Sequence, residues 1–595
     1  MATAIAQDTS TASAWNLFDY FEQVEGSGAR GAAGSRAPLA GGRVPPAPSE
    51  PGAPFAARAP RRPSRDFDLM LTPRRRDWQR DRESLQALDR LAREPWVQAL
   101  ERRSDRVNVR LSDRWVEGVG SALEAGGGDE AALAELARAQ RFAVQFWDPN
   151  ATKALHVGHL RNLAIGNALA AALAQAGGEV ERRSLISDAG RSMGEAMAGV
   201  VRSGRHAQSW PDGDQKSDHF VGVCYAQYVA AGSMLNGYGS EEPGDSLSRE
   251  LQVRDDAADE LLKRVMQGDA EALELWFKTR AWVISGQRTT LAHLGIAFDR
   301  VFFESDFLED GTRMAERGLR EGKLERRLDG VVVYPTDVED LEEMALVRPD
   351  GVSTQHLRAV SYWLNAPDLE DVISLQVCGT EWVSHSVCIN KLMSDMKALK
   401  PAGNGRGVHP MHDIFHGMVS RQKRAVASSA EGALLIDDLI DELDARIDAE
   451  AALREVRRAH PFPERIPAQV VLGYYLPYPA VPAVDFEPER LLRERESLGW
   501  QLVRARARRA SRGEQASHGG RPAEDPDYRF AVVQSELYRR HLRLAIERFD
   551  VTPLALYLRH LARWYLESEP SAHVQSVVHT LLDRSARGLG LEAGR

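Results

Sequence analysis

One stretch of about 45 residues constrains the fold of this chain more than any other part of it. RFAVQFW (141–147) is a short apolar run of strand length, and DPNATKALHVGH (148–159) is a polar loop. LRNLAIGNALAAALAQAGG (160–178) places Ile165, Leu169 and Leu173 at i, i+4 and i+8 and stops on Gly177 and Gly178. VERRSLIS (180–187) is again strand-like. The repeat changes from strand to helix and back, which predicts a βαβ unit. Such a unit seeds a parallel α/β sheet, and sheets of that kind meet their ligands at the carboxyl ends of the strands.

The loop itself carries the chemistry. His156 and His159 are three apart with Gly158 between them. At the first turn of a helix that spacing puts both imidazoles on one side. Gly158 removes a side chain where a phosphate or a flat ring must approach the backbone. The helix N-terminus contributes partial positive charge, and Lys153 and Arg161 add full charges. The string HVGH alone fits a metal pair or two surface histidines equally well. The strand before it, the helix after it, and Asn150 and Lys153 at their offsets select a nucleoside triphosphate site instead. No third ligand stands at a sensible spacing for a metal.

The 595 residues exceed one ordinary core and imply several domains. No apolar run approaches the roughly 20 residues that span a bilayer. The N-terminus lacks a signal-like apolar core, and Cys224, Cys378 and Cys388 show no paired spacing. A reduced, cytoplasmic setting is expected. The net charge of −10 neither demands nor excludes a nucleic-acid partner. The expected division is a disordered Ala/Gly/Pro/Arg-rich tail over 1–76 and a small, mainly helical N-terminal domain over 77–140. A Rossmann-type parallel-sheet domain follows over 141–430, with a helical insertion at about 195–300. Residues 431–488 form a helical connection. Residues 489–595 form an all-α C-terminal domain with a linker at about 513–527.

The segment PNATKALHVGHLRN resembles the "HIGH" signature of class I aminoacyl-tRNA synthetases in its arginyl form. The likeness continues in order along the chain. ISDAGRSMG resembles a Gly-Asp-Trp-Gly segment and retains Asp188 and Gly190. LGIAFDRVFFES is similar to the stretch that places a glutamate, here Glu304, in the amino-acid pocket. VCGTEWVSH and HGMV resemble two further family segments, and LALYLRHLARWYLES is similar to the helical anticodon-binding domain. The resemblance implies that ATP and an amino acid, with Mg2+, give an aminoacyl-adenylate, and that the acyl group then passes to tRNA. The implied catalytic residues are His156, His159 and Lys153. ATP is implied to contact these histidines with Gly158, Gly379, Glu381, His385, Met418 and Val419. The amino acid is implied to meet Asp148, Asn150, Asp188, Glu304, Gln355, Ala359 and Trp382. A monomer is expected by the same route.

The chain departs from the family at defined points. SRQKRAVASSAEG (420–432) stands where a lysine-rich loop is expected, which places the burden of positive charge on Lys153, with Arg421, Lys423 and Arg424 nearby. DGVSTQHLRA (350–359) stands where the family carries a tyrosine and an aspartate, so Gln355 and Ala359 replace both. Trp382 replaces a glutamine. A guanidinium is recognised by a paired carboxylate, and leaving one buried without it costs on the order of 3 kcal/mol. Glu304, Asp188 and a new Asp148 are the remaining carboxylates. These changes predict relaxed, altered or lost amino-acid specificity. Three readings follow: an arginine–tRNA ligase by resemblance, the same type of enzyme with another amino acid that feeds aminoacyl-tRNA to a biosynthetic pathway, and a non-catalytic tRNA-binding or regulatory protein, against which the retained histidines argue. VRARARRASR (503–512) places Arg504, Arg506, Arg508, Arg509 and Arg512 close together, an expected RNA phosphate surface. Tyr557 and Trp564 are expected in the core of a bundle rather than as stacking platforms for bases.

Overall fold

The computed structural model describes residues 55–592 apart from 75, 126–132, 206–214, 236–256, 339–340, 397–409, 422–423, 426–433 and 513–520. Most of the expected tail, Lys423 and the core of the expected linker lie outside the described residues. Two compact units are present. One joins the residues up to 135 with 508–544 and 556–586, and the other joins 136–507 with 545–555 and 587–595.

The first unit opens with β1 (Phe55–Arg58), β2 (Leu69–Pro73), α1 (Arg82–Leu91), β3 (Val97–Arg102), β4 (Val107–Leu111) and α2 (Asp113–Glu124). The strands form an antiparallel sheet in the order β1-β2-β4-β3. Residues 55–73 therefore do not belong to a tail, and the following region is not mainly helical. The strands FAAR and LMLTP are too short and too embedded in Pro/Arg-rich sequence for their composition to reveal them. The C-terminal segment also does not stand alone. Arg529 is fully buried and forks onto Asp68 at 2.9 and 2.7 Å, with Asp113 at 2.7 Å. This bidentate, charge-assisted contact fastens the last helical segment to the N-terminal sheet.

The second unit contains the predicted βαβ segment as β5 (Arg141–Gln145), α3 (Val157–Gln175) and β6 (Glu179–Ile186). The insertion follows as α4 (Arg191–Arg202), α5 (Ser217–Leu235), α6 (Ala257–Met266) and α7 (Ala270–Leu294). The chain returns through β7 (Arg300–Phe303) and α8 (Leu308–Arg320). A second excursion holds β8 (Glu325–Arg326), β9 (Val332–Val338), β10 (Leu341–Val347) and α9 (Gln355–Asn365). Then come β11 (Ile373–Gly379), α10 (Val383–Asp395), β12 (His412–His416), β13 (Val419–Arg421), β14 (Arg424–Ala425), α11 (Ile436–Ala449), α12 (Ala451–Ala459), α13 (Ile466–Tyr475), β15 (Val484–Asp485) and α14 (Leu498–Arg512). The last helices are α15 (Pro526–Arg548), α16 (Thr552–Glu567) and α17 (Ala572–Gly588).

The main sheet is parallel throughout, in the order β12-β11-β5-β6-β7. Chain order runs outward in both directions from β5, so the switch point lies between β5 and β11. The apolar run GVVVYP (330–335) lies outside this sheet. It belongs to the separate antiparallel sheet β10-β9-β8.

Candidate active site

The loops leaving the five parallel strands place most of the predicted residues at one sheet edge. Residues 146–156 follow β5, Ser187 and Asp188 follow β6, Glu304 follows β7, Thr380 and Glu381 follow β11, and Gly417 and Met418 follow β12. The β5 loop continues the pairing with β6: the Ala151 N–H donates to the Ser187 carbonyl at 2.9 Å and the Ser187 N–H to the Pro149 carbonyl at 3.0 Å. Asn150 is thereby fixed beside the end of β6.

His156 is the N-cap of α3, a position that favours a side-chain acceptor for the first free N–H groups. Its Nδ1 accepts from the Gly158 N–H at 3.1 Å, and the His159 Nδ1 accepts from the His156 N–H at 3.1 Å. The two rings lie 4.0 Å apart, centroid to centroid. A ring whose Nδ1 accepts from a backbone N–H carries its proton on Nε2. Burial, with each other's and Lys153's charge, lowers His156 to about 2. Burial and Lys153 lower His159 to about 4. Both imidazoles are therefore neutral at physiological pH; His156 presents an Nε2–H donor, and His159 Nδ1 also lies 3.3 Å from the His156 carbonyl.

Lys153 lies in the loop 5.9 Å from the Tyr225 ring centroid. Gln287 of α7 donates to the carbonyls of Lys153 at 2.8 Å and Asn150 at 3.3 Å, so the insertion holds the loop from behind. The sequence contains no signal for this glutamine. Arg161, in contrast, is not a phosphate ligand. It is fully buried and donates to the carbonyls of Gly417 at 2.6 Å and of Pro482, Pro479 and Ala480 at 2.8 Å each.

The amino-acid side departs further from expectation. Asp188 is fully buried, with Oδ2 at 2.7 Å from both Arg280 and the Ser305 hydroxyl and Oδ1 accepting from the Ser305 N–H at 3.0 Å. Glu304 accepts from Arg358 Nε at 2.6 Å and from the Ser187 hydroxyl at 3.0 Å. Two of the three pocket carboxylates thus already face internal guanidiniums. Among the described residues Asp148 has only neutral hydrogen-bond partners: Gln145 at 2.8 Å, the Leu185 N–H at 3.0 Å and Gln376 at 3.4 Å. Its carboxyl is open at the edge yet ringed by protein, and desolvation raises it to about 6 against those hydrogen bonds.

Gln355 and Ala359 lie one turn apart on α9, on either side of buried His356 and Arg358. His356 stacks on His385 at 4.6 Å, and Trp382 meets both rings edge-on at 5.9 and 5.6 Å. At the end of β11 a Cβ on Gly379 would lie 2.2 Å from the exposed Glu381 carboxylate, which would have to swing aside. Met418 is exposed, whereas Val419 is buried in β13.

Among the described residues of the arginine run, several have partners within the protein, while Arg509 stays more than half exposed. Arg504 pairs with Glu494, Arg506 is buried, and Arg509 reaches Asp583 at 2.8 Å. Arg508 donates to the carbonyls of Tyr565 and Ser568 at 2.6 Å each and of Leu566 at 3.1 Å. The side chain of Arg512 lies outside the described residues. Tyr557 and Trp564 are buried, as expected.

Residues 127–221 match the family model "tRNA synthetases class I (R), catalytic domain". The arginine–tRNA ligase of Borrelia hermsii is 27% identical over 329 residues, 53% of this chain and 51% of the relative. That of Amoebophilus asiaticus is 30% identical over 317 residues, 51% of this chain and 50% of the relative. Over these segments the chain is similar to arginyl-tRNA synthetases. It spans about half the length of the curated relatives it matches. The fold extends further. Arginyl-tRNA synthetase of Thermus thermophilus superposes with a TM-score of 0.59 at 19% identity, over 90% of this chain and 95% of that one. The Plasmodium falciparum enzyme gives 0.60 at 12%, over 90% and 94%.

Proposed function

We propose that this chain is an ATP-dependent aminoacyl-tRNA ligase. In this reading an amino-acid carboxylate oxygen attacks the α-phosphorus of ATP, pyrophosphate leaves, and the acyl group passes from the adenylate to the 3′ end of a tRNA. The observation that carries the reading is the pair of neutral imidazoles at the switch point, with both Nδ1 atoms committed to the helix cap. Their Nε2–H groups are preorganised donors for charge developing on the phosphates, and the helix terminus and Lys153 add to the same field. Holding the two substrates in line supplies much of the remaining acceleration. Among the described residues, Asp218, His219 and Asp437 alone have ligand spacing for a metal, and the Lys216 ammonium already sits among them. The Mg2+ implied by the family does not fit that cluster.

Arginine is the acyl substrate that the family suggests. A second reading, another amino acid, is favoured by Ala359 and by the internal arginines on Glu304 and Asp188. We also place the enzyme in the cytoplasm as a monomer; among the described residues no helix is long and apolar enough to cross a membrane. ATP–pyrophosphate exchange with each amino acid, with and without bulk tRNA, tests the ligase activity and its acyl substrate. Exchange with one amino acid supports ligase activity and identifies the substrate. Tight tRNA binding with no exchange under any condition overturns it in favour of a binding protein.

A further inference from the structure

The cluster that resembles a metal site couples the insertion to the histidine loop. Lys216 Nζ lies 2.7 Å from Asp437, 3.2 Å from Asp218 and 2.5 Å from the Thr290 hydroxyl. His219 Nε2 lies 2.9 Å from the same Asp437 oxygen, and the Thr290 hydroxyl is 3.0 and 3.1 Å from the two Asp437 oxygens. Asp218 and Thr290 are fully buried. Gly286 lets α7 come close, because a Cβ there would lie 2.2 Å from an Asp218 oxygen. Three elements therefore converge on one carboxylate: the start of α5, the middle of α7 and the first turn of α11.

The backbone just before Asp437 is paired with the histidine loop. Leu435 bridges His156, the Val157 N–H donates to the Leu434 carbonyl at 3.0 Å, and the Ile436 N–H donates to the Leu155 carbonyl at 3.0 Å. We propose that Asp437, gripped by Lys216, His219 and Thr290, is a positioning residue that sets the placement of His156 through this backbone pairing. The balance of charge fits a permanent grip. Burial alone would raise Asp437, yet hydrogen bonds from His219, Lys216 and Thr290 bring it down to about 2. The hydrogen bond to Asp437 raises His219 against burial. The carboxylate is thus held ionised, and its partners are held near it.

The catalytic part of this inference rests on the proposed ligase activity, so its test has two readouts in the full-length chain. Asp437→Asn should accelerate amide hydrogen exchange at Val157 and Ile436 by on the order of tenfold or more, the loss of one charge-assisted hydrogen bond. Amides in β11 and β12 should be unaffected. In ATP–pyrophosphate exchange the same variant should lose kcat with KM for the amino acid unchanged. Lys216→Arg should leave both near the wild-type value where Lys216→Met reproduces the loss. Thr290→Val serves if Asp437→Asn does not fold, with a smaller change at the same two amides. Unaltered protection of Val157 and Ile436 in a folded variant overturns the inference. If the wild-type chain shows no exchange with any amino acid, the ligase reading fails, and the amide measurement alone still decides the grip.

Discussion

Replacing Gly158 with alanine perturbs the proposed catalytic centre through one atom. A Cβ at this position would lie 2.8 Å from both Cε1 and Nδ1 of His156, where ordinary contact begins at 3.4 Å. Gly158 is not among the glycines with left-handed backbone, so the helix accepts alanine and the conflict falls on the imidazole. The ring must retreat by about 0.6 Å, the difference between those two distances. Retreat also lengthens the bond from the Gly158 N–H to Nδ1, now 3.1 Å. Loss of an N-cap contact costs about 1 kcal/mol of stability, small enough to leave the protein folded. A donor misplaced by the better part of 1 Å costs up to about 100-fold in rate. We therefore expect Gly158→Ala to slow ATP–pyrophosphate exchange by roughly 10- to 100-fold, or about 1.4 to 2.7 kcal/mol. The assay uses the amino acid that gives the wild-type chain its fastest exchange, with circular dichroism to confirm folding. A folded variant exchanging at the wild-type rate would refute the claim that the His156 ring position matters.

Three other substitutions probe the pocket and its support. Ala359→Asp restores a carboxylate one turn from Gln355 and should raise kcat/KM for arginine by about 10- to 100-fold, the value of one charged hydrogen bond; an unchanged arginine rate places that residue outside the pocket. The Asp148 carboxyl, raised to about 6, is ionised only above that pH, so KM for the amino acid should fall as pH rises through 6. Asp148→Asn should flatten that dependence, and a variant with the wild-type profile assigns the titration to another group. Arg161→Met leaves the carbonyls of Gly417, Pro479, Ala480 and Pro482 without their donor, at a cost of about 3 kcal/mol. Its thermal midpoint should fall by roughly 3–4 °C, and a midpoint within error of wild type would contradict the structural role of Arg161.

The core of the site is legible in the sequence because it is local. The strand, the polar loop, the histidine spacing and the helix lie within residues 141–187, and the structure keeps them as β5, α3 and β6. What the sequence hides is long-range. Arg161 reads as a phosphate ligand until its acceptors, 256 to 321 residues further along the chain, are known. Asp188 and Glu304 read as open carboxylates until Arg280 and Arg358 close on them. The run from Arg504 to Arg509 looks cationic in one dimension, yet its members turn to Glu494, Asp583 and a set of carbonyls. Strands β1 and β2 escape notice because pairing, not composition, makes them strands.

The central claim is that the two capped imidazoles donate from Nε2 to a nucleotide. The most direct measurement is 15N NMR of labelled histidines in the full-length chain, titrated with ATP. Both rings should appear as neutral Nε2–H tautomers at pH 7, and the His156 and His159 resonances, the latter assigned by its loss in His159→Ala, should shift on ATP addition. Nδ1–H or doubly protonated rings, or histidine resonances indifferent to saturating ATP, would contradict it.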